Sequence, residues 1–260
     1  RGRKTIIYRG IRIADRHEVV LKCLHEEMPG SRDIARLRRE YEILCRFDDP
    51  KTLRAYALES CGNGYALILE DFGGQSLRQV MDDGSIPLKE LLRVAIAVCD
   101  SIALVHAKGV IHKDIKPDNV IIDLNSESWR VALADFSISS TLHEENQDIS
   151  NPDVLEGTLY YMSPEQTGRM NRKVDYRTDY YSFGVMLYEL VTGRLPFEVS
   201  DPMELVHCHI ARMPPPLRTA NEAVPPALAA IILKLMAKTA EARYQSAVGI
   251  RADLQRCLDQ

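Results

Sequence analysis

The chain has 260 residues, 45% of them hydrophobic, enough to bury a sizeable core in one domain or two close-packed lobes. A formal net charge of −4 argues against a nucleic-acid binder, which usually carries a basic excess. No apolar run reaches the ~18 residues of a membrane span, and no signal peptide opens the sequence. The six cysteines (Cys23, Cys45, Cys61, Cys99, Cys208 and Cys257) are scattered without a CxxC pair, as expected of reduced thiols in a cytoplasmic protein.

In chain order, Thr5–Tyr8 and Val19–Lys22 are β-rich runs with a turn expected near Asp15-Arg16. Ser31 is expected to cap a helix running to about Phe47, because Ile34, Leu37, Tyr41 and Leu44 recur at spacings of three and four. Cys61-Gly-Asn-Gly64 reads as a hairpin turn between strands Leu53–Ser60 and Tyr65–Glu70, and Phe72-Gly73-Gly74 as a hinge. Pro87 suits a helix first turn and Gly109 the end of that helix. Between them Leu91, Leu92, Ala95, Ile96, Cys99, Ile102 and Ala103 form an apolar face. Short strands are expected at Asn119–Asp123 and Trp129–Ala134.

Asp179–Thr192 is a nearly all-apolar helix, expected to be buried and closed by Gly193. Met213-Pro-Pro-Pro216 reads as a stiff loop, with helices following at about Pro226–Ala237 and Ser246–Leu258. His207-Cys208-His209 carries metal-binding residue types, but neighbours on a helix point different ways, so a surface or core role is expected. Strands first and helices after imply an α+β protein with a small sheet-rich lobe and a larger helical one.

The chemistry concentrates in His112-Lys-Asp-Ile-Lys-Pro-Asp-Asn119, followed by Asp135-Phe-Ser137. An isolated loop aspartate is usually a turn former or a cap. Asp114, however, has Lys116 two residues on, Pro117 stiffening the loop and Asn119 five residues on. Phosphoryl transfer needs such a set: a carboxylate for the proton of the attacking hydroxyl, a cation for the γ-phosphate, and an amide and second carboxylate for magnesium.

The pattern closely resembles the catalytic loop of eukaryotic-type protein kinases, and the resemblance extends along nearly the whole chain. Val19-Val-Leu-Lys22 resembles the strand carrying the phosphate-binding lysine, and Arg39-Glu40 its partner on the next helix. Gly157-Thr158 and Ser163-Pro164-Glu165 resemble the end of an activation segment. Asp179-Tyr-Tyr-Ser-Phe-Gly184 resembles the start of the central helix, whose aspartate braces the catalytic loop. Arg243 falls where the family places the partner of Glu165.

The resemblance implies a bilobal fold with lobes at 1–71 and 72–260, in a domain belonging to a longer chain. It implies ATP and Mg2+ as cofactors and a protein serine or threonine as acceptor. Asp114 is then the proton acceptor and Lys116 the γ-phosphate contact. Asn119 and Asp135 are magnesium ligands, and Lys22 holds the α- and β-phosphates while paired with Glu40. Ile7 and Val20 form an apolar roof over adenine and Ile121 its floor. Leu69 precedes the hinge, and the backbones of Glu70 and Phe72 bond the base. Read one at a time, Lys22 is a solvated strand lysine, Glu40 a surface helix charge and the aliphatics ordinary core. Lys116, with Thr158, points to serine/threonine rather than tyrosine specificity.

The pattern breaks in three places. Gly2 aligns with the middle glycine of the phosphate loop, but Thr5 replaces the third. Ser137 replaces a glycine, and its Cβ is expected to restrict the swing of that segment. Lys113 replaces an arginine that commonly grips an activation-segment phosphate, and a lysine is only a point charge there. Ser139, Ser140, Thr141 and Ser150 are candidate modification sites, and His143–Asp148 is expected to be a mobile polar loop. Arg169, Arg172, Lys173 and Arg177 form a basic cluster expected to be a solvated face.

The stretch from Gly157 to Arg172, with Asp175-Tyr-Arg-Thr-Asp179, resembles more narrowly the N-terminal kinase domains of large microbial sensor proteins. That implies covalently linked downstream signalling domains. A pseudokinase, binding nucleotide or partner domains without catalysis, is the alternative; a binding module has no need of Asp114. Small-molecule phosphotransfer is disfavoured by Ser163-Pro-Glu165, which shapes a peptide-docking surface in protein kinases.

Overall fold

Four antiparallel strands carry the first half of the site. In this computed structural model, which describes residues 5–24, 29–62, 64–84, 86–123, 129–141 and 159–260, they are β1 (Thr5–Ile11), β2 (Glu18–Leu24), β3 (Ala55–Cys61) and β4 (Gly64–Glu70). Their order is β1-β2-β4-β3. Lys22 lies opposite Ile7 on β1 and Leu67 on β4, and Val20 lies opposite Arg9 and Leu69. Because side chains alternate with period two, Ile7, Val20, Lys22 and Leu69 share one face of the sheet. The turn after β1 carries Arg16 in the left-handed region, φ 62°.

Helix α1 (Ser31–Leu44) packs on β3 and β4. Ser31 is its first residue rather than its cap. Gly30 is extended, and its carbonyl accepts from Asp33 and Ile34, so the helix starts one residue earlier than the serine suggested. The helix also stops short of Phe47, tightening into a turn in which Arg46 and Phe47 donate to Ile43 and Leu44.

Asp71–Gly74 crosses to the helical lobe. Gly73 has φ 80°, and a Cβ on Gly74 would stand 2.7 Å from Phe72 and 2.8 Å from Ile121, so the crossing needs both glycines. Next come β5 (Gln75–Ser76) and α2 (Leu77–Asp83), which the apolar pattern does not reveal. Ser76 and Gln79 form a reciprocal capping box, the one local signal for α2.

Helix α3 (Leu88–Ala107) follows, with Pro87 just outside it. Then come β6 (Val110–Ile111), β7 (Val120–Asp123), β8 (Arg130–Leu133) and β9 (Ser140–Thr141). Strands β5, β7 and β8 form one small sheet, and β6 pairs with β9. Helices α4 (Arg177–Thr192), α5 (Pro202–Ala211), α6 (Leu217–Ala220), α7 (Pro226–Leu235) and α8 (Ala247–Asp259) complete the lobe. Helix α4 is buried along most of its length and closed by Gly193 in the left-handed region, as its composition implies. It runs close against the end of α7, where a Cβ on Gly184 would stand 2.7 Å from Leu235. The result is the expected α+β architecture, sheet lobe first and helical lobe second.

On α5, His207 is exposed while Cys208 and His209 are buried, so the three side chains diverge. His209 lies 3.0 Å from the Tyr181 hydroxyl, and Lys238 donates to its carbonyl at 2.9 Å. Burial, and then the Lys238 charge, push the imidazole down to about 3. An unfolded histidine titrates near ~6.5. Between these values the unfolded chain takes a proton that the native chain refuses. Stability is therefore complete above pH ~6.5 and falls as pH drops toward 3, by up to ~1.4 kcal/mol per pH unit. Urea melts at pH 7, 6 and 5 should show a shallower loss for His209→Gln than for wild type. Parallel slopes would refute this.

Candidate active site

The loop between β6 and β7 is anchored from behind. Asp179, at the start of α4, is fully buried and accepts from the backbone N–H groups of His112 at 2.9 Å and Lys113 at 2.7 Å, and from His106 Nε2 at 2.8 Å. Burial alone would raise this carboxyl, but His106, His112 and the backbone donor hold it below its ordinary value. The anchoring compensates for strain, since Lys113 sits at φ 69°, a conformation costing ~1–3 kcal/mol for a residue with a Cβ. Gln166 adds a bond to the Lys113 carbonyl at 2.9 Å, and the Ser139 hydroxyl donates to that of His112 at 2.9 Å.

His112 is buried against Phe136, ring centroids 4.6 Å apart, and its Nε2 donates to Ala134 at 3.0 Å. Burial lowers its pKa and favours the neutral ring. Its Nδ1 is then free to accept from the Asp114 N–H at 3.3 Å.

Asp114 is buried at the front of this loop. Lys116 Nζ reaches its two carboxylate oxygens at 2.9 and 2.7 Å. Asn119 Nδ2 donates both to its carbonyl and to Oδ2, each at 2.8 Å. The three residues thus form one unit, held by the short 3-10 turn Pro117–Asn119.

A second unit joins the lobes. Lys22 Nζ donates to Glu40 at 2.9 and 2.7 Å and to Asp135 Oδ1 at 2.8 Å. Burial would lower the Lys22 ammonium, but Asp135 and Glu40 outweigh it and raise the pKa. Burial likewise opposes the Asp135 carboxylate, yet Lys22 holds it well below the usual range. Both are charged at neutral pH. Asp135 itself lies in the left-handed region at φ 62° and accepts from the Ser137 N–H at 3.3 Å.

Around the cleft between the lobes, Ile7 is 55% exposed on the sheet face that carries Val20, and Leu69 is buried. The Glu70 carboxylate is taken by Arg130 at 2.7 and 2.9 Å, and Arg130 also covers the Phe72 ring at 4.2 Å. Ile121 packs beneath Gly74.

Farther out, Arg243 bonds Glu165 through two parallel contacts of 2.5 and 2.8 Å, both side chains being buried. The basic cluster is solvated at Arg169 and Lys173, as its sequence implies, and less so at Arg172 and Arg177. Arg177 is nearly buried and bonds Asp175 at 2.7 Å, and Arg172 pairs with Asp175 and Glu241. Ser139, Ser140 and Thr141 are buried and so are poor modification sites as they stand, the last two pairing with β6. Gly2, His143–Asp148, Ser150, Gly157 and Thr158 lie outside the described residues. Sequence reasoning missed His106, Gln166, Arg78, Tyr161 and Glu189. All act through partners far away in the chain, and only Gln166 carries a local mark, a capping box with Ser163.

A sheet lobe whose buried lysine–glutamate pair reaches a carboxylate beyond the catalytic loop, set on a helical lobe, is the architecture of a protein kinase. The chain belongs to the protein kinase domain family, whose family model matches residues 1–252. Over 245 residues it is 32% identical to the serine/threonine-protein kinase pkn2 of Myxococcus xanthus, covering 93% of this chain and 29% of that one. It is 31% identical over 247 residues to the serine/threonine-protein kinase PknB of Mycobacterium tuberculosis, covering 92% and 38%. A probable serine/threonine-protein kinase of Clostridium perfringens is 29% identical over 240 residues, covering 92% and 34%. The chain therefore spans about a third of the length of these curated relatives. It is a protein kinase domain similar to bacterial serine/threonine-protein kinases. Among the described residues no helix is long and apolar enough to cross a membrane.

Proposed function

We propose that this domain transfers the γ-phosphoryl group of ATP to serine or threonine hydroxyls of a protein. The observation that carries the reading is the Asp114–Lys116–Asn119 unit, held rigid from behind by Asp179. Asp114 accepts the proton of the acceptor hydroxyl and orients its oxygen for attack. Lys116, already within 2.9 Å of Asp114, supplies positive charge where the transferred group passes. Lys22, oriented by Glu40, holds the α- and β-phosphates. Ile7 and Val20 cover the adenine and Ile121 lies under it, with the backbones of Glu70 and Phe72 as its hydrogen-bonding edge.

Asn119 and Asp135 suit magnesium. Both amide hydrogens of Asn119 are directed at Asp114, which leaves Oδ1 as the side-chain atom with lone pairs to offer, and Asp135 is ionised and 34% exposed. Two hard oxygen donors are what magnesium takes from a protein when phosphates and water complete its shell, and there it would neutralise charge on the phosphate oxygens.

The boundary between lobes is placed after Asp71, supported by the end of β4 at Glu70. The protein carrying this domain is read as a cytoplasmic signalling protein with downstream domains, as the stretch Gly157–Arg172 suggests. The coverage of only a third of the relatives' length is consistent with that.

The test is radiolabelled ATP with magnesium and a generic protein acceptor. Wild type should transfer label, and Lys22→Ala should cut transfer by about 100-fold or more while its circular dichroism is unchanged. Absence of transfer by wild type at saturating ATP would overturn the reading.

A further inference from the structure

Arg9 reaches from the sheet lobe to the crossing between the lobes. It lies opposite Val20 on β2, which lies opposite Leu69 on β4, so its side chain leaves the sheet on the face that carries Ile7, Val20 and Lys22. Its Nε stands 2.9 Å from Asp71 Oδ2, and its Nη2 donates to the Gly74 carbonyl at 2.7 Å. One guanidinium from β1 thus holds both ends of the crossing Asp71–Gly74. Gly74 lies over Ile121, where an added Cβ would stand 2.8 Å away. Arg9 therefore joins the sheet face read as the roof of the nucleotide cleft to backbone packed on its floor.

Asp71 is the link to the base. Its Oδ1 accepts from the Gly73 N–H at 3.0 Å, which closes a turn around Phe72, and Gly73 is held there at φ 80°. Phe72 is the residue whose backbone is read as part of the hydrogen-bonding edge for adenine. The Asp71 side chain is 8% exposed, against 63% for Arg9. A carboxylate so far out of water needs its charged partner, and without one it must move to find water. Arg130 secures the residues on either side, through the Glu70 carboxylate and the Phe72 ring. Arg9 secures the one between them. An exposed ion pair adds little to stability as such, so the weight of this contact lies in what it positions.

We propose that Arg9 is a positioning residue for the adenine base: by holding Asp71 and the Gly74 carbonyl, it sets the crossing in the shape in which the Phe72 backbone meets the base. This rests on the nucleotide-binding part of the kinase reading above. An ion pair that merely tied the lobes together would affect every ligand of the cleft alike. A clamp on the crossing acts on the base and leaves the phosphates to Lys22.

The experiment titrates wild type, Arg9→Ala, Arg9→Lys and Asp71→Asn with magnesium ATP and with magnesium tripolyphosphate by calorimetry, and follows KM and kcat with radiolabelled ATP. Arg9→Ala should weaken ATP binding about tenfold, the effect of a lost charge-assisted hydrogen bond, and leave tripolyphosphate binding unchanged. KM for ATP should rise by the same factor at constant kcat. Asp71→Asn keeps an acceptor for the Gly73 N–H but not the charge. It should weaken ATP binding similarly, and the double variant with Arg9→Ala should be no weaker than either single one. Arg9→Lys should recover part of the loss, since a lysine reaches one partner but lacks the fork that reaches two. Equal weakening of ATP and tripolyphosphate, or unchanged ATP binding in folded variants, overturns the proposal. So does a wild type that holds ATP no more tightly than tripolyphosphate, because the base then gains nothing at the crossing. If wild type binds ATP but transfers no phosphate, the kinase reading fails, and the titrations alone decide the role of Arg9.

Discussion

Asp114→Asn should lower the rate of phosphoryl transfer by about 10²–10⁴-fold while leaving ATP affinity within a few-fold of wild type. The change keeps the shape of the side chain but removes its basicity and its charge, and with the charge one of the two Lys116 contacts. Asn119 can still donate to the side-chain oxygen at position 114, and the backbone of the loop is held independently by Asp179. The fold should survive, so a loss of rate reads as chemistry. Turnover with radiolabelled ATP, beside nucleotide titration by fluorescence, separates the two quantities. An unchanged rate would remove Asp114 from the role of base. Equal background labelling by wild type and variant would favour a module that binds without catalysis.

The second large effect is on stability. Arg243→Ala should destabilise the domain by about 3–5 kcal/mol, because it leaves the buried Glu165 carboxylate without its partner. Arg243 also donates to the carbonyls of Ala237 at 2.8 Å, Arg177 at 3.0 Å and Lys238 at 3.2 Å, and these lose a donor together. For a domain of this size the melting temperature should fall by about 10 °C. Combining Arg243→Met with Glu165→Met should recover part of that loss, since no unpaired buried charge remains. Thermal melts of the single and double variants check both statements. If the double variant is no better than Arg243→Ala, the cost lies in the carbonyls rather than in the orphaned charge. The effect should reach the active site too, because Gln166, next to Glu165, ties the activation segment to the Lys113 carbonyl.

How much was legible beforehand differs from one residue to the next. The Asp114 unit was open to reading because its three members lie within six positions, and a loop that short brings its own side chains together. The helix ending at Gly193 was open to reading because a run so nearly all apolar is stable only when buried. Ser31 misled because a capping preference is statistical. Here the carbonyl of Gly30, which has no side chain to advertise it, starts the helix. Helix α2 is two turns long and half exposed, too short for its periodicity to rise above chance, and only Ser76 with Gln79 marks it. Arg78 reads as one more surface charge until α4 brings Glu189 to it from 111 residues away.

By itself the sequence determined which groups are available: a base, two lysines, an amide and two acids in an order that resembles a kinase. It also determined the strand alternation that puts Val20 and Lys22 on one face, which the pairing of β1 with β2 extends to Ile7. Only the tertiary structure decided that Lys22 meets Asp135 across 113 residues, that Asp179 holds Lys113 in a strained turn, and that Arg78 pairs with Glu189. The physical reason is distance. Local backbone geometry sets which way a side chain leaves the chain. Its charge state and its partner depend on which groups folding brings within about 3 Å, out of water, where an electrostatic contact is strongest.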